Sequence, residues 1–227
     1  MDQILKNRIS IQVSLSGYSF KCLRDGEVNR SGWMEPGSVF TTPELQKRYD
    51  EVEVSLFTPK CALVPEAFFN PAAIRESLSE VVPLRASDTV DSVPVPEFGA
   101  VLLYSNSIDE TLSKVLSQTV LTAGGEAAPV YPELYYILKE LPLCQEYNKI
   151  VASYRDGALQ LAVAQGRSLQ LANVYKAADF TTAEYYLFLA LKTLQVNPEV
   201  STISWRTPLE SSEEMSLYRY FKAVEVL

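Results

Sequence analysis

The chain has 227 residues, 47% of them hydrophobic, and its 28 acidic and 20 basic side chains give a formal charge of −8. That length supports one large core or two modest ones, and the negative charge argues against a general attraction to nucleic-acid backbones or anionic lipid. Histidine is absent, which removes the commonest general base, the commonest metal ligand and every Ser-His or Cys-His nucleophile pair.

The first eight residues lack the apolar core of a secretory leader, and no run approaches the roughly 18–20 apolar residues of a membrane helix, so a cytoplasmic protein without membrane insertion is expected. Ile9, Ile11, Val13 and Leu15 alternate as a strand, and Ser16-Gly17 turns the chain. Tyr18, Phe20 and Cys22 make a second strand, Arg24-Asp25-Gly26 turns again, and a third strand runs towards Trp33. Residues 42–49 predict a short helix, with Thr42 as cap and Pro43 at its first position. Val52, Val54 and Leu56 then alternate as a strand.

Eight of the 13 prolines fall between residues 36 and 96, so short elements are expected there. They include a strand at 61–64 and a helix over 65–69 that opens on Pro65. A strand at 100–104 follows, then a helix over 106–118 with Ile108, Leu112, Val115 and Leu116 on one face. After the break at Gly124-Gly125, a helix over 131–141 is expected to join the two halves.

The second half repeats the opening. A strand at 150–154 leads into Arg155-Asp156-Gly157, Leu159, Leu161 and Val163 alternate, Gln165-Gly166 turns, and Leu169, Leu171 and Asn173 alternate again. Thr181 and Glu184 have capping-box spacing for the strongest helix of the chain, which Asn197-Pro198 ends. Leu187, Ala190, Leu191 and Leu194 line one face of it, while Tyr185, Tyr186, Phe188 and Leu189 cover much of the rest. Burial on more than one side is therefore expected. A strand at 201–205 and a last helix, capped by Ser211 with Glu214 and striped by Leu217, Tyr218, Phe221 and Val224, complete the pattern.

Three strands joined by tight turns and followed by a helix thus occur twice. This is the opening of a ribonuclease-H-like half, and two halves make the architecture of the actin-like ATPases. The predicted fold is α/β with two ribonuclease-H-like lobes, residues 1–143 with the proline-rich insertion and connecting helix, and residues 144–227. The second lobe is expected to be abbreviated, because a complete half would continue with a further strand and helix.

Catalytic signals are sparse. Cys22, Cys61 and Cys144 are far apart among apolar neighbours and read as reduced core thiols. Neither a Ser-x-x-Lys nor a Gly-x-x-x-x-Gly-Lys motif occurs. The two Arg-Asp-Gly triplets fall at the second turn of one meander and the first turn of the other, so they are turn chemistry rather than a repeated site. Acidic groups such as Asp50-Glu51-Glu53 and Glu213-Glu214 read as solvated faces or helix starts. The tyrosines that concentrate in the second half, Tyr185 and Tyr186 among them, read chiefly as core-edge residues.

The run 10–20 (Ser-Ile-Gln-Val-Ser-Leu-Ser-Gly-Tyr-Ser-Phe), the phrase Leu63-Val64-Pro65-Glu66, and the stretch from Leu169-Gln170-Leu171-Ala172-Asn173 through Asp179-Phe180 to Tyr185-Tyr186 together resemble an uncharacterised bacterial family. It is a domain of unknown function typical of Bacteroidetes, with an actin-like ATPase fold, and the resemblance spans nearly the whole chain. It implies a fold and no activity. Active actin-like ATPases place an Asp at the end of the first strand and a Gly- and Ser/Thr-rich hairpin after it, to organise Mg²⁺ and hold phosphate. Here that stretch is Gln12-Val13-Ser14-Leu15-Ser16-Gly17, without a carboxylate. The second hairpin is Ser153-Tyr154-Arg155-Asp156-Gly157-Ala158, and the Gly pair that admits adenine is replaced by Ser204-Trp205-Arg206.

The sequence therefore supports a non-catalytic binding or scaffold module with a degenerate nucleotide site, no cofactor and no metal. Its expected partner is a protein and not nucleic acid. If the cleft of such a fold holds a ligand, the expected contacts are Ser16, Gly17, Asp156, Gly157, Trp205 and Arg206. Two other readings stay open at this level. One is a nucleotide-dependent ATPase or sugar-kinase-like phosphotransferase using Asp156 or Asp179, and the other is an assembly protein of the cell-division or pilus type.

Overall fold

The computed structural model describes residues 6–106 and 110–227. Two compact units emerge, one from residues 1–57 with 107–131 and one from residues 58–106 with 132–227. The proline-rich insertion thus groups with the C-terminal sheet, a different partition from lobes meeting at residue 143.

In the first unit the alternating apolar residues become β1 (Arg8–Ser14), β2 (Gly17–Arg24), β3 (Glu27–Arg30) and β4 (Glu51–Leu56). With β8 (Val130–Pro132) they form one sheet in the order β3-β2-β1-β4-β8. β1 is antiparallel to β2 and parallel to β4, with Ile11 opposite Phe20 and Val54. Ile9, Ile11 and Val13 point into one core with Leu45, Tyr49 and, from α2 (Glu110–Thr119), Leu116. The opposite face of the strands carries Gln12, Ser14, Ser19 and Ser55, all buried. The α2 helix agrees with the pattern read for 106–118, although Asn106, its expected start, is not helical and Ile108 lies outside the described residues.

Several expectations are corrected in this unit. The third strand stops at Arg30; beyond it the Ser31 N–H still donates to the Phe20 carbonyl at 2.9 Å, and Met34 pairs with Tyr18. No α-helix follows the first meander: residues 42–49 contain one 3₁₀ turn at Pro43–Gln46. The Thr42 hydroxyl does not cap that turn. It donates to the Ser38 carbonyl at 2.8 Å and meets the Tyr18 hydroxyl at 2.9 Å, so the segment is tied back onto β2.

The second unit contains two sheets. β5 (Cys61–Pro65), β6 (Val90–Val95) and β7 (Ala100–Ser105) form an antiparallel sheet ordered β5-β7-β6, with α1 (Ile74–Ser79) packing Leu78 against Val101 and Leu103. The helix expected over 65–69 is only a 3₁₀ turn at Glu66–Phe68. Tyr131, expected in a helix, lies in β8, and the helix is α3 (Glu133–Glu140).

The C-terminal meander is β9 (Asn148–Arg155), β10 (Ala158–Gln165) and β11 (Ser168–Lys176). It is followed by α4 (Phe180–Thr193), β12 (Thr202–Trp205), α5 (Ser211–Tyr218) and β13 (Ala223–Val226). The sheet order is β11-β10-β9-β12-β13, with β12 parallel to both neighbours. Both five-stranded sheets therefore place their strands third-second-first-fourth-fifth. Ile150, Leu159, Leu161, Ile203 and Trp205 face Leu187 and Leu191 of α4 and Leu217 of α5, and α3 packs on β9 and β10.

Here too the structure revises details. The cap of α4 is Asp179, whose Oδ1 accepts the Thr182 N–H at 2.7 Å, so Thr181 lies inside the helix. Tyr185 and Leu189 are 61% and 45% exposed, so α4 is buried on one side. The box of α5 is Glu210 with Glu213, one residue earlier than read. Phe221 and Val224 leave the helix, and Val224 belongs to β13, the further strand that a ribonuclease-H-like half needs. All three cysteines carry free thiols, and burial pushes those of Cys61 and Cys144 up from their ordinary range. No helix among the described residues is long and apolar enough to cross a membrane.

Candidate functional site

In the second unit, parallel β9 and β12 end side by side, with Trp205 opposite Ala152 and the Arg206 N–H donating to the Ala152 carbonyl at 3.0 Å. The carboxyl ends of parallel strands are where crevices open in α/β sheets, because the chain leaves neighbouring strands in different directions. Here β9 turns back through Asp156 and Gly157 at φ 48° and 77°, the pair of left-handed residues that a two-residue hairpin requires. β12 runs on through Thr207 and Pro208 towards α5. Between them lies a cavity of about 500 Å³ lined by Tyr154, Arg155, Asp156, Phe180, Trp205 and Glu213, with Gly157, Thr207 and Leu209 completing the wall.

Aromatic packing builds its inner side. The rings of Phe180 and Trp205 lie 5.6 Å apart, and Tyr154 meets Phe180 edge-on at 5.9 Å. Trp205 Nε1 donates to Thr207 Oγ1 at 2.7 Å, and the Tyr154 hydroxyl donates to the Ala177 carbonyl at 3.2 Å. These bonds satisfy the polar ends of two rings whose apolar bodies are packed.

Charge is arranged around the rim. Arg155 Nε stands 3.7 Å from Asp156 Oδ1, a loose pair between adjacent residues. The Glu213 carboxylate accepts the Glu210 N–H at 2.9 Å as part of the α5 cap, yet burial raises its pKa above the ordinary carboxylate range. The Tyr154 phenol is also raised, first by burial and then by the carboxylates of Asp179, Glu213 and Asp156, with Arg155 opposing them. Both helices that start beside the cavity have their first turns held by carboxylates of the chain itself, Asp179 on α4 and Glu210 with Glu213 on α5.

Of the residues expected from sequence, Asp156, Gly157 and Trp205 come together in this cavity. Arg206 turns away from it. Its side chain is 7% exposed and donates through Nε to Glu133 Oε1 at 2.9 Å and through Nη1 to Glu140 Oε1 at 3.4 Å, with the guanidinium 5.6 Å from the Tyr136 ring centroid. In the first unit the β1–β2 turn is Leu15-Ser16, one residue earlier than read, and Gly17 opens β2 opposite Ser14. Ser16 Oγ lies 3.3 Å from Ser14 Oγ, and Gly17 is packed so closely that a Cβ would stand 1.9 Å from the Met34 carbonyl oxygen.

Sequence reasoning did not find Tyr154, Arg155, Phe180 or Glu213 as site residues. The available signal was positional, since each sits at a strand end or helix start of the second repeat. A Mg²⁺–nucleotide does not fit the cavity of the second unit: Asp179 is committed to a helix cap, and carboxylates hold both helix starts, whose N–H groups would otherwise receive phosphate. Among the described residues, no three Cys, Asp or Glu side chains are grouped to hold a metal ion.

No curated protein matches the chain. Among solved structures, it is similar to a Bacteroides thetaiotaomicron protein of actin-like ATPase fold and unknown function, with 17% identity, a TM-score of 0.67, and coverage of 97% of this chain and 90% of the other. It is also similar to the PilM-PilN type IV pilus biogenesis complex, with 12% identity, a TM-score of 0.52, and coverage of 96% and 88%. At these identities the likeness shows the fold alone, and that fold is the actin-like one. The family of proteins of unknown function designated DUF3822 matches residues 1–224, and the chain belongs to it.

Proposed function

We propose that this protein is a non-catalytic binding module on an actin-like fold, whose two ribonuclease-H-like lobes are the repeats that begin at β1 and β9. In this reading it recognises a protein partner through the cavity at the ends of β9 and β12. The observation that carries the reading is the state of the two helix starts at that cavity. A helix N-terminus attracts phosphate through its unpaired N–H groups, and both starts here are already served by Asp179 and by Glu210 with Glu213. A phosphoryl group entering the cavity would meet the carboxylates of Asp156 and Glu213 beside the single cation Arg155. The PilM-PilN type IV pilus biogenesis complex among the structural neighbours is compatible with a protein partner, being itself a complex of two proteins.

Thermal unfolding with and without Mg²⁺ and a panel of nucleotides at ~1 mM tests this. A ligand at ~100 times its Kd stabilises the native state by about 2.7 kcal/mol, a rise of several degrees for a chain of this size. No nucleotide is expected to move the midpoint. A Mg²⁺-dependent, nucleotide-specific rise that Asp156→Asn abolishes would replace this reading with a phosphotransferase one.

A further inference from the structure

We infer that this protein forms a two-fold dimer through the outer face of α4, two copies of which pack antiparallel and cross at Phe188. This face lies apart from the cavity, and the dimer goes beyond the binding-module reading above. α4 is 14 residues long and packs its inner side on the C-terminal sheet. A helix that faces only water on its other side carries polar residues there. On α4, however, Tyr185 and Leu189 are 61% and 45% exposed, and Phe188 between them is half-buried. From the turn between α5 and β13, Tyr220 lays its ring 4.8 Å from that of Phe188 and widens the patch. The rings are already held in place: Phe188 also stacks on Phe221 at 5.8 Å, and Tyr185 meets Tyr186 edge-on at 5.4 Å. Docking onto fixed rings costs little side-chain entropy.

Charge decides what covers this patch. Glu184 and Lys192 stand four residues before and four residues after Phe188, about 6 Å along the helix axis in each direction. Neither side chain has a hydrogen bond or ion pair among the described residues, and Glu184 Oε1 is buried without a donor. An apolar centre with an anion at one end and a cation at the other does not match a uniformly charged partner, but it matches its own copy reversed. When two α4 helices run antiparallel across a two-fold axis at Phe188, the Glu184 of each copy comes level with the Lys192 of the other, and one patch serves both sides. The reversed order also opposes the two helix dipoles. Parallel packing would set like charges together instead.

Sedimentation velocity of the full-length protein from ~1 to ~300 μM tests the inference. One helix face is smaller than a standard interface, so a reversible dimer with a Kd on the order of 30 μM is expected. Leu189→Asp should weaken it at least about tenfold by putting a charge into the apolar centre. Glu184→Lys and Lys192→Glu should each weaken it about fivefold or more, because each sets like charges together at both symmetric contacts. The double variant, and an equimolar mixture of the two single variants, restore opposite charges at both contacts and should return to within about threefold of the wild type. A misfolded variant cannot give that rescue, and circular dichroism melts show whether each variant is folded. Leu189 and Lys192 are exposed, so their variants keep the fold and decide the matter even where Glu184→Lys does not. A monomer up to ~300 μM, a dimer that Leu189→Asp or Lys192→Glu leaves unchanged, or no rescue between folded single variants would overturn the α4 assignment. Those outcomes leave the cavity to its own nucleotide test, which reads a different signal.

Discussion

At the residue scale, two residues named from sequence as ligand contacts, Gly17 and Arg206, serve the fold. Gly17 has φ 142° and lies against the Met34 carbonyl, where Tyr18 and Met34 exchange backbone hydrogen bonds of 3.0 and 2.7 Å. Any Cβ would force that strand pair apart. Gly17→Ala is expected to cost about 3 kcal/mol or more in urea unfolding. Gly99→Ala, at φ 57° with open space around the new methyl, should cost only about 1 kcal/mol, and equal losses would show that conformation rather than contact is decisive. Arg206 neutralises Glu133, which is fully buried and also accepts the Ser153 hydroxyl at 2.7 Å. Removing one partner of a buried pair strands the other charge, so Arg206→Ala should lose about 3–5 kcal/mol. Glu140→Gln, at the looser and more exposed 3.4 Å contact, should lose less than about 1 kcal/mol. A small effect of Arg206→Ala would mean that Glu133 finds other compensation.

At the element scale, the C-terminal helices show how a local signal can be right in kind and displaced in position. Thr181-x-x-Glu184 and Ser211-x-x-Glu214 both have capping-box spacing, but the chain uses Asp179 and Glu210-x-x-Glu213. The choice falls on whichever residue leaves the preceding strand or loop in an extended conformation, and that depends on where β11 and β12 end. The Asp179 carboxyl is held below its ordinary range by the Thr182 N–H and then by the Thr182 hydroxyl. A depressed carboxyl contributes stability that is present above its unfolded value and lost as pH falls through its folded one. Asp179→Ala should therefore melt below the wild type near pH 7, with a gap that narrows below ~pH 4; a gap constant down to ~pH 3 would contradict the cap assignment. Glu213 runs the other way: with its pKa raised by burial, acidification through that raised value favours the folded state. The first meander shows a further limit, because its expected helix is replaced by turns anchored to Tyr18 through Ser38 and Thr42.

For the whole molecule, a formal charge of −8 without histidine shapes which partners can approach. The protein is expected to pass through a heparin column at ~50 mM salt, and retention there would reveal a basic face hidden by the net charge. The repeated architecture was legible because it rests on local rules. Period-two alternation and Gly-containing turns fix strands and hairpins within about 30 residues, so both meanders, β4, β5, β7 and β12 could be placed from sequence. The sequence also determined what is missing, since no folding can supply a histidine. Tertiary structure alone decided the rest. Which strands lie parallel, and hence that Trp205, Phe180, Tyr154 and Glu213 share one cavity while Arg206 is spent on Glu133, depends on contacts between segments about 50 to 75 residues apart. Such pairings are set by the packing of complete faces, and no single window of sequence carries them.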